Sequence, residues 1–383
     1  MVTTLTSRTD RGGWAYALAP LRSPETSLVV GRTYRLQLWV KDHRASGSTL
    51  GVLLANQNYA GRPAAASVWQ AYRDTDWHPL VTTFTATSPA LSDTAVYLSL
   101  PTTGALHLQV AGASVREVVD LPPPPVVSRP SRTLTFGGAA GSAVDPAVWN
   151  TETGGYGWGV GELQAYTGRR SNVCVDGLGS LVITARRELV TDVGGAPANY
   201  SSARINTCGK VSVAPGSYVE ASITAPVGPG LWPAFWLMGV DHPVVGWPAC
   251  GEIDVFEGQG GQPSLAHNAL HMSTATSSRT EAVCGWEEGG GVVDLGESLD
   301  TRPHLFGAYF DRNVVRFYID RRQVRVLRAS DARDMGREWP FDKKQFILLN
   351  VAVSPTAGVA NTDFPKRMSV GAIRIFTGGV PAA

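Results

Sequence analysis

Pro122-Pro123-Pro124-Pro125 is the feature that most limits how this chain folds. A proline has a fixed φ and no backbone N–H, so four in a row neither continue a helix nor sit inside a sheet. The surrounding residues 121–130 favour an extended polyproline II spacer. We expect a Pro-rich linker over residues 119–131, separating a domain at 1–118 from a larger one at 132–383. A length of 383 residues suits two cores better than one.

Both parts read as strands. Residues 33–40, 95–100 and 106–110 alternate apolar or aromatic side chains with polar ones, and residues 180–185, 217–223, 314–319 and 346–351 continue the pattern. No long window shows helical apolar spacing. Glycine (42) and proline (25) are plentiful enough to supply the turns between many short strands. The expected fold class is all-β: two β-sandwich domains joined by the linker.

The formal net charge of +1 gives no electrostatic footing for nucleic acid or an anionic membrane. No apolar run approaches the roughly 20 residues of a membrane span. Residues 1–20 are polar, so this chain shows no signal peptide. Cys174, Cys208, Cys250 and Cys284 match no zinc spacing. Two disulfides in an oxidising compartment are expected, with buried thiols as the alternative; the pairing stays open.

The chemistry concentrates in Glu252-Ile253-Asp254-Val255-Phe256-Glu257. Residues two apart on a strand share a face, so Glu252 and Asp254 point one way while Ile253 and Val255 point into the core. Glu257 has the wrong parity. A β-bulge near Val255-Phe256 adds one residue and brings Glu257 back beside Asp254. Three carboxylates on one face repel each other, which a merely structural strand avoids. Retaining glycoside hydrolysis gives them a use, because it needs two carboxyls about 5–5.5 Å apart, one to attack the anomeric carbon and one to protonate the leaving oxygen.

This run resembles the signature of glycoside hydrolase family 16, in its bulged laminarinase-like branch. Residues 230–239, 156–167, 201–205, the strand of His271 and residues 346–353 resemble further family segments in the expected order. The resemblance covers residues 132–378 and implies a jelly-roll catalytic domain. By the family's pattern Glu252 is the nucleophile, Asp254 the assisting acid and Glu257 the general acid/base. It also implies sugar contacts for Trp232 and Trp236, whose flat faces suit pyranose stacking, and for His271, Arg204, Glu162 and Asn350. His267 and His271 are spaced four apart but lack further ligands, so no metal is expected in catalysis.

Some positions depart from the family. Val160-Gly161 stands where Asn is frequent, and Ser354-Pro355 where glycines are frequent. Gly371 replaces an aspartate linked to a structural calcium, which makes calcium doubtful here; no other cofactor is implied. Residues 5–9 and 30–41 resemble jelly-roll carbohydrate-binding modules, with the first strand apparently missing. Trp14, Tyr59, Trp69 and Tyr72 are candidate ligand aromatics in that module.

These features imply an endo-acting, retaining β-1,3-glucanase of extracellular or cell-surface polysaccharide. The alternatives are a galactan-cleaving relative, a glycan-binding adhesin or tail-type component, and a non-catalytic glucan-recognition protein. Oligomeric state is left open.

Overall fold

The structure is a computed structural model that describes residues 2–5, 28–42, 48–56, 66–72, 77–86, 94–99, 108–118, 121–155, 157–159, 161–194, 196–273, 291–334 and 336–382. Trp14, Tyr59, Tyr156, Val160 and Cys284 lie outside the described residues. The chain divides into two compact units, Met1–Pro122 and Pro123–Ala383.

In the first unit one sheet joins Val2–Leu5, Leu108–Glu117, Thr33–Asp42 and His78–Thr85 in that order. A second joins Ala66–Tyr72, Ser48–Asn56 and Thr94–Ser99, and Trp69 and Tyr72 fall on its first strand. Leu36, Leu38 and Val40 are buried as their alternation requires, yet Arg35 and Gln37 between them are buried too. That strand is therefore covered on both faces, where the alternation suggested a half-solvated one.

The proline-rich segment differs from the expected free spacer. Val127 N–H donates to the Val380 carbonyl at 2.7 Å, and Val380 N–H donates to Pro125 O at 2.9 Å. Ser131 N–H donates to Ile375 O, and Arg132–Leu134 then pairs with the final strand Lys366–Thr377. A proline keeps its carbonyl as an acceptor, so an edge bridge costs it nothing. From Pro123 onward the segment belongs to the second unit.

The second unit is two facing sheets. The outer sheet has eleven strands, among them Leu181–Val190, Lys366–Thr377, Ser217–Thr224, His304–Phe310, Val314–Ile319 and Arg322–Arg328. Seven strands build the path of the inner sheet: β1 (Asn150–Glu152), β2 (Arg204–Asn206), β3 (Leu231–Gly239), β4 (Glu252–Gly258), β5 (Leu265–His271), β6 (Val292–Asp294) and β7 (Gln345–Val353). Their spatial order is β6-β5-β4-β3-β7-β2-β1, with Ser212–Val213 also pairing β7. Val219, Phe306, Phe317 and Ile373 from the outer sheet meet Ile205, Phe235, Ile253, Phe256 and Leu349 from the inner one in a single core. Each such side chain contributes about 1.5–3 kcal/mol relative to exposure. The fold class expected from the sequence is the one observed, a nearly all-β chain. Helices are confined to short pieces such as α1 (His242–Val245), and none is long and apolar enough to cross a membrane among the described residues.

The two expected disulfides are not made among the described residues: Cys174, Cys208 and Cys250 are free thiols. Cys250 is fully buried in an apolar cluster with Trp236, Met238 and Phe346, and Cys208 packs against the same cluster. Burial pushes the Cys250 thiol up to about 12, so it is held as a neutral apolar group.

Candidate active site

The bulge lies where the acid spacing places it. On β3, Phe235 faces Phe256 and Trp236 faces Asp254, so Val255 has no partner of its own. The ladder to β5 slips at the same place, between Asp254 and Glu257. Val255 and Phe256 both enter the core, while Glu252, Asp254 and Glu257 share the opposite face.

Residues paired across a ladder share a face, which lets the site be read in rows. One row runs His267, Glu257, Ala234, Asn350, Arg204, Glu152 across β5-β4-β3-β7-β2-β1. The next runs Ala269, Asp254, Trp236, Leu348, Asn206, Asn150. A third holds His271, Glu252, Met238 and Phe346. Adjacent strands are about 4.8 Å apart, so the four steps from Glu257 to Glu152 span roughly 19 Å. A polymer crossing the strands along these rows meets polar groups on one side of the acids over several sugar lengths.

Each acid has an ordered partner. Trp232 Nε1 donates to Glu257 Oε1 at 2.6 Å, and Trp247 Nε1 donates to Glu252 Oε2 at 2.8 Å. His271 Nε2 stands 3.0 Å from Asp254 Oδ2 and 3.9 Å from Glu252 Oε1, ion pairs when the ring is protonated. Burial raises the pKa of all three carboxyls. The Asp254 charge raises Glu252 further, and the Glu257 charge does the same to Asp254. For Glu257, the Trp232 hydrogen bond and His271 pull the other way. Groups this close titrate as a set, and the set holds protons above the ordinary carboxylate range.

The remaining sequence candidates divide. Trp232 and His271 sit at the acids. Arg204 donates through Nε to Glu152 at 3.1 Å, with its guanidinium 4.7 Å from the Trp236 ring centre. Trp236 is therefore covered on one face, is only 8% exposed, and donates Nε1 to Asn350 Oδ1 at 2.7 Å. Asn350 also donates Nδ2 to Tyr166 OH at 3.2 Å, so its amide orients Trp236 and Tyr166. Glu162 accepts from Gln164 Nε2 (2.5 Å) and Tyr166 OH (3.1 Å). Burial, with Glu162 next, raises the Tyr166 phenol well above its usual range and keeps it a donor.

Three groups were missed. Trp247 lies inside the segment that carries the acids, but a tryptophan ahead of a proline gave no signal of a carboxylate partner. Glu152 accepts from both Arg204 and Asn206 Nδ2 (2.6 Å), and no local pattern links these positions. His267, set aside as a metal ligand, stands opposite Glu257.

For metals, the ligand atoms of Glu252, Asp254 and His271 lie within 4.8 Å of one another. A cation there would engage the same carboxylates the chemistry uses. Position 371, where the sequence makes calcium doubtful, is a glycine beside Ser222 and offers no carboxylate.

A family model described as "XgeA-like, catalytic GH16 domain" matches residues 189–290. The β-glucanase of Rhodothermus marinus is 31% identical over 242 residues, covering 61% of this chain and 80% of that protein. A glucan endo-1,3-β-glucosidase of Cryptopygus antarcticus is 33% identical over 209 residues, 54% of this chain and 74% of its own. Among solved structures, the laminarinase catalytic domain of Thermotoga maritima superposes with a TM-score of 0.57 at 33% identity, over 65% of this chain and 98% of that one.

Proposed function

The chain belongs to glycoside hydrolase family 16, and we propose on that premise that it hydrolyses β-1,3-glucan internally with retention of configuration. The observation that carries this is the bulged strand with three acids on the face away from the core, and an indole donor fixed on each outer carboxyl.

In the proposed reaction Glu252 attacks the anomeric carbon and forms a glycosyl ester, while Glu257 gives its proton to the departing glycosidic oxygen. Water then attacks the same anomeric carbon, gives a proton to Glu257 and breaks the bond to Glu252, which leaves as carboxylate. The raised pKa of Glu257 supports a role that begins protonated. Asp254 lies between the two and shares the charge that Glu252 loses and regains, with His271 against it. Trp232 and Trp247 are positioning residues through their hydrogen bonds. Arg204, Asn206 and Glu152 supply donors and an acceptor along the row for sugar hydroxyls.

A polymeric glucan does not cross membranes, so we place the activity outside the cell or at its surface. The first unit then serves as a tether that raises local substrate concentration. The test is product release from linear β-1,3-glucan, agarose and mixed-linkage glucan, with Glu252→Gln as control and the product anomer followed by NMR. β-1,3-Oligosaccharides first appearing as the β-anomer, from the wild type alone, are expected. No release from linear β-1,3-glucan would sink the proposal.

A further inference from the structure

Beside the acids, at one end of β3, β4 and β7, lies a cavity of about 540 Å³ that the hydrolytic scheme leaves unused. Gly230 and Trp232 come from the start of β3, Gln259 and Gln262 follow β4, and Ser354 and Thr356 follow β7. Antiparallel pairing brings these three strand ends to the same edge. The cavity therefore lies off the rows that a polymer follows. Trp232 pairs with Ala352, two residues from the Glu257–Ala234–Asn350 row, which is about 7 Å along the strand.

The shape of this cavity is built in. A Cβ at Gly260 would come within 2.2 Å of Gly228 O, and one at Gly230 within 2.4 Å of Val359 Cγ2. Ser354 N–H donates to Gly230 O, and the Ser354 and Thr356 hydroxyls meet at 3.0 Å. This wall is the place where Ser354-Pro355 replaces the glycines frequent in the family. No lining residue is charged, and the polar groups are amides and hydroxyls. Such a lining accepts a neutral polyol and offers no charged partner to a sulfate or a uronate. Trp232 connects cavity and chemistry, since its ring lines one and its Nε1 holds Glu257.

We propose that this side cavity takes a neutral hexosyl branch carried by the glucan residue at the cleavage point. The inference rests on the β-1,3-glucanase function above. A 1,3-linked glucose uses O1 and O3 in the backbone and leaves its exocyclic C6 alcohol free, so a 6-linked glucosyl group departs sideways from the chain. The enzyme then cuts at branched residues instead of skipping them.

The experiment compares linear β-1,3-glucan oligosaccharides with the same oligosaccharides bearing single 6-linked glucosyl branches, and locates the branch in each product. Two cavity-filling variants are used. Gly261→Trp starts from open space at an ordinary φ, and Ala357→Trp starts from an exposed position. Melting curves establish that both are folded. The expected result is branched residues flanking the cut in wild-type products. Either tryptophan should then lower kcat/KM on the branched substrate about tenfold while leaving the linear one within about twofold. Branches always remote from the cut overturn the inference, as does a loss shared equally by both substrates or absent from both. Failure to cut the linear substrate at all removes the glucanase function itself, and the branch with it.

Discussion

Among the described residues of the second unit, two places bury carboxylates, and they treat the charge in opposite ways. In the outer sheet Glu220 is fully buried on Ser217–Thr224. Arg321 grips it with Nε and Nη2 at 3.1 and 3.0 Å, Arg374 stands 3.5 Å away, and Tyr218 OH donates at 3.3 Å. Arg321 and Asp320 both have positive φ, as a two-residue hairpin turn requires, so the pair also pins that turn. In the inner sheet three carboxyls share one face with His271, with His267, whose pKa burial lowers, and with two indole donors. A structural carboxylate is neutralised by permanent cations. The inner cluster is left short of cations and long on protons, the state from which protons can be given away.

The sharpest way to break this contrast is Glu252→Gln. If the inner cluster is there for chemistry, turnover of linear β-1,3-glucan falls at least about a thousandfold with the fold intact, read by reducing-end release and circular dichroism. Glu220→Gln asks the reverse: activity per folded molecule stays unchanged, while stability drops by about 3 kcal/mol in denaturant melts. That is the lower end for a broken buried pair, because both arginines still reach water.

Asp254→Asn sharpens the comparison through pH. With native pKa values raised, the folded state keeps protons that the unfolded chain has released, so folding loses stability as pH climbs from the ordinary carboxylate range through the raised one. Asp254→Asn should raise the melting temperature at neutral pH by roughly 2–4 °C. The gain should vanish below about pH 4, where both states are protonated. A gain that persisted in acid would trace to packing instead of charge. The smallest effect belongs to Trp232→Phe, which deletes the donor that lowers the Glu257 pKa. The alkaline limb of the rate profile should move to higher pH, with a several-fold loss in kcat.

The sequence made the inner strand legible to the level of its bulge. Acid parity and core parity conflict at Glu257, and one inserted residue is the least change that resolves them. The strands at 33–40, 217–223, 314–319 and 346–351 were legible too, since their runs of apolar, aromatic and β-branched residues are local. What stayed hidden depends on register between distant strands. Nothing near Arg204 announces Glu152, and nothing near Asn350 shows that its amide is spent on Trp236 and Tyr166. The chain divides within the proline run, at Pro122/Pro123, and the docking of residues 125–127 on Val380 needs the far end of the chain. Cysteine spacing suggested disulfides because it carries no information on which thiols a small apolar cluster will enclose.

The clasp between residues 125–127 and Val380 has a mechanical consequence. If the first unit holds a polymer that is pulled or sheared, the load enters the second unit at Pro123. It passes through that bridge, Ser131 and Arg132–Leu134 into the terminal strand Lys366–Thr377. That strand belongs to the outer sheet. Tension is thus received by the layer that lacks the three site carboxyls, and the core lies between it and the row from His267 to Glu152.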